Sequence, residues 1–287
     1  MKCICCNSDK VKASSILPNN YSYCSNCELL FTRKTNLCDL RKSIVSHYQN
    51  VDPHGSVAYA KKGFFKVVLD YILANSSGEG KRILDVGCGF GYFLELASER
   101  GLEPFGVELS ETAANASKLK FGAGKIYHGD LATATFGDEQ FDAITLWDVL
   151  AIVENPYDEL NECYRLLKGR GIIGIRTRNA VFQIIVFRLF KPIEKMALRF
   201  GIKRPYVFNR YCFSSRSVDY LLSRIGFINI NIGNSPLTSG DPYNHIRFKN
   251  PAKLSKGCID ICTKLVAFMS RGRRLIAPSI LIWAQKP

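Results

Sequence analysis

Two hydrophobic periods divide the chain. Over residues 56–74, Phe64, Val67, Val68, Tyr71 and Ile72 recur at i, i+3, i+4, i+7 and i+8, which predicts a half-buried helix. From residue 81 short apolar runs replace that stripe. ILDV, PFGVEL, KIYH, FDAITLW and GIIGIRT read as five buried strands. YFLELASER, ETAANASKLKF and DELNECYRLL between them read as helices. Gly101 closes the first and Ser110 caps the second. Strands alternating with helices predict an α/β fold, a doubly wound, mostly parallel, Rossmann-like sheet. GFININI at 226–232 and SILIWAQ at 279–285 read as later strands that could pair as an antiparallel edge.

Two amphipathic stretches interrupt the last part. At 182–200, Phe182, Ile185, Val186, Leu189, Ile193, Met196, Ala197 and Phe200 form an apolar stripe beside basic Arg188, Lys191, Lys195 and Arg199. Pro192 should kink it. At 254–269, Leu254, Cys258, Ile261, Cys262, Leu265 and Met269 fall in line. The first stretch reads as a core or lid helix, with an anionic membrane surface as the other reading.

The head of the chain has its own chemistry. Cys3-x2-Cys6, 17 further residues and Cys24-x2-Cys27 have zinc-ribbon spacing. Each pair forms a knuckle aiming two thiolates at one ion, and YSY and ELLFT read as short strands. Cys3, Cys6, Cys24 and Cys27 are the expected Zn²⁺ ligands, with Cys5 able to replace Cys6. Four thiolates leave no open position, so the metal would be structural. The expected organisation is therefore a zinc-ribbon-like segment (1–38), a linker and N-terminal helix (39–80), a core (81–180) and a substrate or lid region with the final strands (181–287).

Composition narrows the class. The 287 residues are 47% hydrophobic and 22% charged, which excludes a mainly disordered chain. No apolar run approaches the roughly 20 residues of a spanning helix. MKCICCNSDK lacks the apolar stretch of a secretory signal. With an odd count of 11 cysteines, a reducing cytoplasm is expected, with contact at the inner membrane face left open. Charge is uneven: residues 1–72 carry net +5, 73–180 net −5 and 181–287 net +14. Basic ends suggest an anionic partner.

The most informative run is Ile83-Leu84-Asp85-Val86-Gly87-Cys88-Gly89-Phe90-Gly91. It takes a strand into a helix through a glycine-rich turn. A dinucleotide fingerprint would place its third glycine where Tyr92 stands. Asp85 would repel a pyrophosphate but hold an ammonium. S-adenosylmethionine (SAM), zwitterionic and without phosphate, fits better. Glu108, with Leu109 after it, closes the second strand and suits ribose hydroxyls. Gly129-Asp130 closes the third to meet adenine, with Leu131 as apolar neighbour. Trp147-Asp148 closes the fourth. All lie at strand carboxyl ends, where open α/β sheets bind ligands.

Residues 81–178 resemble a class I SAM-dependent methyltransferase, on LDVGCGFG, GVELS, HGD, FDAITLWDVL, ENP and RLLKGRGIIGIRTRN. The cysteine head resembles that of a bacterial methyltransferase group of sugar, polysaccharide and natural-product pathways. The resemblance carries Asp85, Gly87, Gly89, Glu108 and Asp130 over as cofactor residues; Cys88, Gly91, Leu109, Leu131 and Trp147 complete the candidate cofactor set. Where many relatives read H-V-L-E-H, this chain has Asp148-Val149-Leu150-Ala151-Ile152. Without those histidines, Asp148 becomes the candidate base, and His128 reads as structural. Arg176 and Arg178 are candidates for an anionic acceptor.

The expected function is methyl transfer to a small-molecule acceptor, a sugar, lipid-linked or natural-product substrate, on oxygen, carbon or nitrogen. RNA methylation ranks lower, because the head lacks aromatics interleaved with basic residues. A non-enzymatic zinc-ribbon module ranks last, because the glycine turn and its acids are intact.

Overall fold

The computed structural model describes residues 2–14, 21–32, 42, 46, 56–75, 81–201, 204–236, 238 and 275–287. The expected helix at 254–269, Cys38, Cys258, Cys262 and most of the 39–55 linker lie outside them.

Seven strands form the main sheet: β4 (Arg82–Val86), β5 (Glu103–Glu108), β6 (Ile126–His128), β7 (Phe141–Trp147), β8 (Leu167–Arg178), β10 (Ile228–Asn234) and β11 (Ser279–Gln285). Their order is β10-β11-β8-β7-β4-β5-β6. The five strands from β8 to β6 pair in parallel. β11 runs antiparallel to both β8 and β10, so the expected antiparallel edge is present. The order reverses between β4 and β7, the switch point at which such sheets open a crevice.

Helices cover both faces. α1 (Ser56–Asn75), α2 (Tyr92–Glu99), α3 (Glu111–Phe121) and α4 (Pro156–Leu166) surround the parallel half. Two of these starts have a local cause. The Ser110 side chain accepts from Ala113 N to cap α3. Asn155 caps α4, with Pro156 in its first turn. Fully buried Leu84, Ile144 and Ile173 fill neighbouring central strands. Truncating any of them to Ala should cost about 2–5 kcal/mol. On one face, Phe64, Phe65 and Val68 of α1 join Phe93, Trp147 and Trp283 in an apolar cluster. α1 is thereby fixed over the sheet.

The cysteine head does not stand apart. β1 (Val11–Ala13), β2 (Tyr21–Cys24) and β3 (Leu30–Thr32) form an antiparallel sheet that β9 (Tyr211–Cys212) completes. Leu29 and Phe31 share the main core with Phe213, Val218 and Leu221. The latter two lie on α7 (Ser215–Ile225), which starts in a capping box between Ser214 and Ser217.

The 182–200 stretch becomes α5 (Ala180–Phe190), a 3-10 turn at Lys191–Ile193 and α6 (Glu194–Arg199). Pro192 sits in the 3-10 turn, so the expected kink is a full break. Apart from Ala197, the buried residues are not those of the expected stripe. Gln183, Phe187, Phe190, Glu194 and Ala197 are buried, while Ile185, Leu189, Ile193, Met196 and Phe200 are exposed.

Candidate functional site at the strand carboxyl ends

The candidate residues converge where β4, β5, β6 and β7 end. After β4 the backbone crosses to β5: Gly87 N and Cys88 N both donate to Val107 O, at 2.8 and 3.1 Å. Gly91 N closes the turn on Cys88 O at 3.0 Å. Gly87 and Gly91 have φ of 75° and 76°, a region that strains other residues. A Cβ on Gly87 would lie 2.5 Å from Val149 Cγ2, and one on Gly91 2.7 Å from the Phe121 ring.

Glu108 locks this turn. Its Oε2 accepts from Gly89 N and its Oε1 from Ser110 N, both at 2.8 Å. One carboxylate thus joins the glycine turn to the start of α3. Ser117, which no motif singled out, donates from Oγ to Gly89 O at 2.8 Å. Burial raises the Glu108 carboxyl above its ordinary range, against the opposing pull of the backbone amides.

Asp85 is buried at the end of β4 and accepts from Thr145 Oγ1 at 2.7 Å. Burial pushes its pKa up to about 8, opposed by the Thr145 hydroxyl and the Lys61 charge. Among the described residues no cation is within bonding distance of it; Lys61 spends its charge on Asp148. Asp85 is therefore a buried acid whose ionised form a bound cation would stabilise.

Leu109 follows Glu108 half-buried. Asp130 begins the 3-10 turn Leu131–Thr133, its carbonyl accepting from Thr133 N at 3.1 Å, and Leu131 is buried beneath. His128, opposite Glu108 on β6, is exposed. Cys88 and Trp147 lie in the apolar cluster under α1 and α2. Trp147 meets Phe64 and Phe93 edge-on, and its Nε1 is buried without a partner.

Asp148 occupies the turn after β7 at φ 66°, a conformation that Asp tolerates better than most residues. Its Oδ2 accepts from Lys61 Nζ at 2.9 Å and Arg176 Nη1 at 2.5 Å. Burial alone would raise its pKa. Lys61 and Arg176 together outweigh that and hold the carboxylate far below its ordinary range. Arg176 is buried and also reaches Ser235 Oγ at 3.0 Å and Thr238 Oγ1 at 3.4 Å. Its charge is committed within the protein. Arg178 differs: its buried Nη1 has no hydrogen-bond partner among the described residues.

The four cysteines of the head come together. Cys3 and Cys27 Sγ lie 3.5 Å apart, Cys6 and Cys24 Sγ 3.6 Å, and all four within 4.8 Å. Each knuckle closes alike: Asn7 N donates to Cys3 O, Glu28 N to Cys24 O, and both donors have positive φ. Zn–S bonds of about 2.3 Å in a tetrahedron set sulfurs roughly 3.8 Å apart, so this donor set fits Zn²⁺. It contains Cys6 rather than the alternative Cys5.

Residues 84–175 match the family model described as "Methyltransferase domain". Over 129 residues the chain is 33% identical to ubiquinone biosynthesis O-methyltransferase of Azoarcus sp., covering 42% of this chain and 53% of that protein. The chain spans about half the length of the curated relatives it matches. Among solved structures, Haemonchus contortus phosphoethanolamine N-methyltransferase 2 superposes with a TM-score of 0.53 at 16% identity, over 90% of this chain and 62% of that one. Geranyl diphosphate C-methyltransferase of Streptomyces coelicolor gives 0.51 at 17%, over 86% and 98%. At such identities the likeness concerns the fold. Residues 84–175 thus match a methyltransferase domain, on a fold shared with SAM-dependent methyltransferases.

Proposed function

We propose that the protein transfers a methyl group from SAM to a small-molecule acceptor held at the carboxyl ends of β4, β7 and β8. The observation carrying this reading is the pair of buried acids, Asp85 and Glu108, on either side of the glycine turn. Asp85 would take the cofactor's ammonium. Glu108 has both oxygens on backbone amides and would offer its remaining lone pairs to the ribose hydroxyls. Leu109, Asp130 and Leu131 would border the adenine, and Gly87, Gly89 and Gly91 would let the ligand approach the backbone. When bound, SAM supplies an electrophilic methyl group on a sulfonium. The protein's own work is to align the acceptor with it and exclude water.

Asp148 was the candidate base on sequence grounds. Its ion pairs make it a poor proton acceptor. We assign it a positioning role, fastening α1 and β8 across the mouth of the site. Arg178, with its unpartnered Nη1, is the cation we assign to an anionic group on the acceptor. The relatives named O-methyltransferases favour a hydroxyl as nucleophile. Zn²⁺ on Cys3, Cys6, Cys24 and Cys27 would be structural, since four thiolates close its coordination.

Calorimetric titration of zinc-loaded protein with SAM and its demethylated product tests the reading. Binding of both with a 1:1 stoichiometry is expected. Absence of heat with either compound would remove the cofactor assignment and the activity with it.

A further inference from the structure

The segment that follows β8 turns its apolar residues to solvent. Eleven large apolar residues are exposed among those described, and Ile185, Leu189, Ile193, Met196, Leu198 and Phe200 are six of them. Leu189, Met196 and Phe200 keep 73%, 57% and 78% of their surface exposed. The inward side is already filled: Phe187 and Phe190 pack on Tyr206 and Phe208. The exposed residues therefore belong to a second face, uncovered among the described residues.

The charge around that face has one sign. Arg188, Lys191, Lys195 and Arg199 are exposed. Glu194 is the only acid between Glu162 and Asp219, and it is buried. Lys191 Nζ and Arg204 Nε reach it at 2.6 Å and Tyr206 OH at 2.8 Å. The surface thus presents Leu, Ile, Met and Phe ringed by cations, with its one carboxylate withdrawn. A second copy pairing through this same face would bring like charge against like, because residues 181–287 carry net +14.

We propose that α5, the turn at Pro192 and α6 form a docking surface for an anionic lipid bilayer. The apolar residues would enter the boundary of the acyl chains and the cations would meet the headgroups. α5 is capped by Asn179, the residue after Arg178, so docking sets the mouth of the candidate site beside the bilayer. The consequence that the acceptor is lipid-soluble or lipid-linked rests on the methyltransferase reading; the docking itself does not.

The test is flotation of the full zinc-loaded chain with phosphatidylcholine vesicles, with and without added phosphatidylglycerol. Binding is expected only with the anionic lipid and should weaken with salt. Arg188→Gln, Lys195→Gln and Arg199→Gln together should lower it by roughly a hundredfold, at about fivefold per cation near the surface. Leu189→Gln with Phe200→Gln should abolish it. The indole introduced by Phe200→Trp should be quenched by brominated acyl chains. No flotation with anionic vesicles, or flotation equal in all variants, overturns the proposal. So does an indole shielded without vesicles and unquenched with them, which assigns the face to another segment of the chain. Self-association lost in the Leu189/Phe200 variant without vesicle binding assigns it to a second copy. SAM titration of the same preparations separates the two readings: flotation without SAM binding keeps the docking and removes the methyltransferase.

Discussion

Arg176 Nη1 meets Asp148 Oδ2 at 2.5 Å, and the same oxygen takes Lys61 Nζ at 2.9 Å. Arg176 is 1% exposed, so that carboxylate helps to balance a buried charge. Asp148→Asn should therefore destabilise the fold by about 3 kcal/mol, because a buried cation loses a counter-charge. Asp148→Asn combined with Arg176→Met should cost less than Asp148→Asn alone. Urea unfolding of the three proteins measures both. A lone Asp148→Asn within a few tenths of a kcal/mol of wild type would show that the triad does not hold α1 and β8 together.

Glu108 accepts two backbone amides with its two oxygens. Glu108→Gln turns one of those oxygens into a donor facing an N–H. The glycine turn then loses one tie and must shift. SAM affinity should fall about 10- to 100-fold, as a charge-assisted bond worth roughly 1.5–3 kcal/mol is lost. Titration of the variant checks it, and unchanged affinity would take Glu108 out of the site.

Gly87→Ala tests the same turn from the other side. The added methyl would enter at φ 75° and lie 2.5 Å from Val149 Cγ2. Backbone strain of about 1–3 kcal/mol is expected, with the turn displaced. Thermal unfolding should show the loss. Gly101→Ala, with nothing within 4 Å of the added atom, bears only the strain of its φ and should lose less.

Much of this was visible in the sequence because it follows periodicity and short motifs. The strand runs and the glycine turn fixed β4 to β8, and Cys3-x2-Cys6 with Cys24-x2-Cys27 marked the thiolate cluster. Lys61 carried no signal, since a cation on the polar side of a helix looks like any solvated lysine. The pairing of β3 with Tyr211–Cys212 was hidden for another reason: a two-residue strand has no period. The inward face of α5 and α6 differs from the sequence stripe because amphipathicity identifies an apolar side without saying what lies against it. Tyr206 and Phe208, in a loop, cover Phe187 instead.

Asp85 makes stability and binding depend on pH in opposite senses. Burial raises its pKa from 3.8 to about 8, so the folded state keeps a proton that the unfolded chain gives up above pH 3.8. Stability of the ligand-free protein should fall as pH rises from about 4 to 8 and then level off. SAM affinity should rise over the same window, because the ionised carboxylate holds an ammonium. Binding at pH 7 should release a proton, seen as a heat that varies with the buffer's ionisation enthalpy. Asp85→Asn should flatten the acid-to-neutral fall in stability and weaken SAM binding. If the variant keeps both the pH-dependent stability and the proton release, another group titrates there.

The cysteine head shares its sheet with β9 and its core with α7, so a metal bound there should contribute beyond the head itself. Arg224 Nη1 also holds Ile4 O at 2.9 Å, and Ser214 Oγ reaches Cys27 O at 3.4 Å. A metal tying Cys3, Cys6, Cys24 and Cys27 would therefore stabilise the floor on which α7 rests. Chelation should lower the unfolding temperature in one transition, with the head and the α/β core melting together. Two separate transitions would mean that the head folds by itself. Cys6→Ser should lose the metal and reproduce the chelated state, whereas Cys5→Ser, outside the four-sulfur set, should retain one zinc per chain by thiol-independent metal assay.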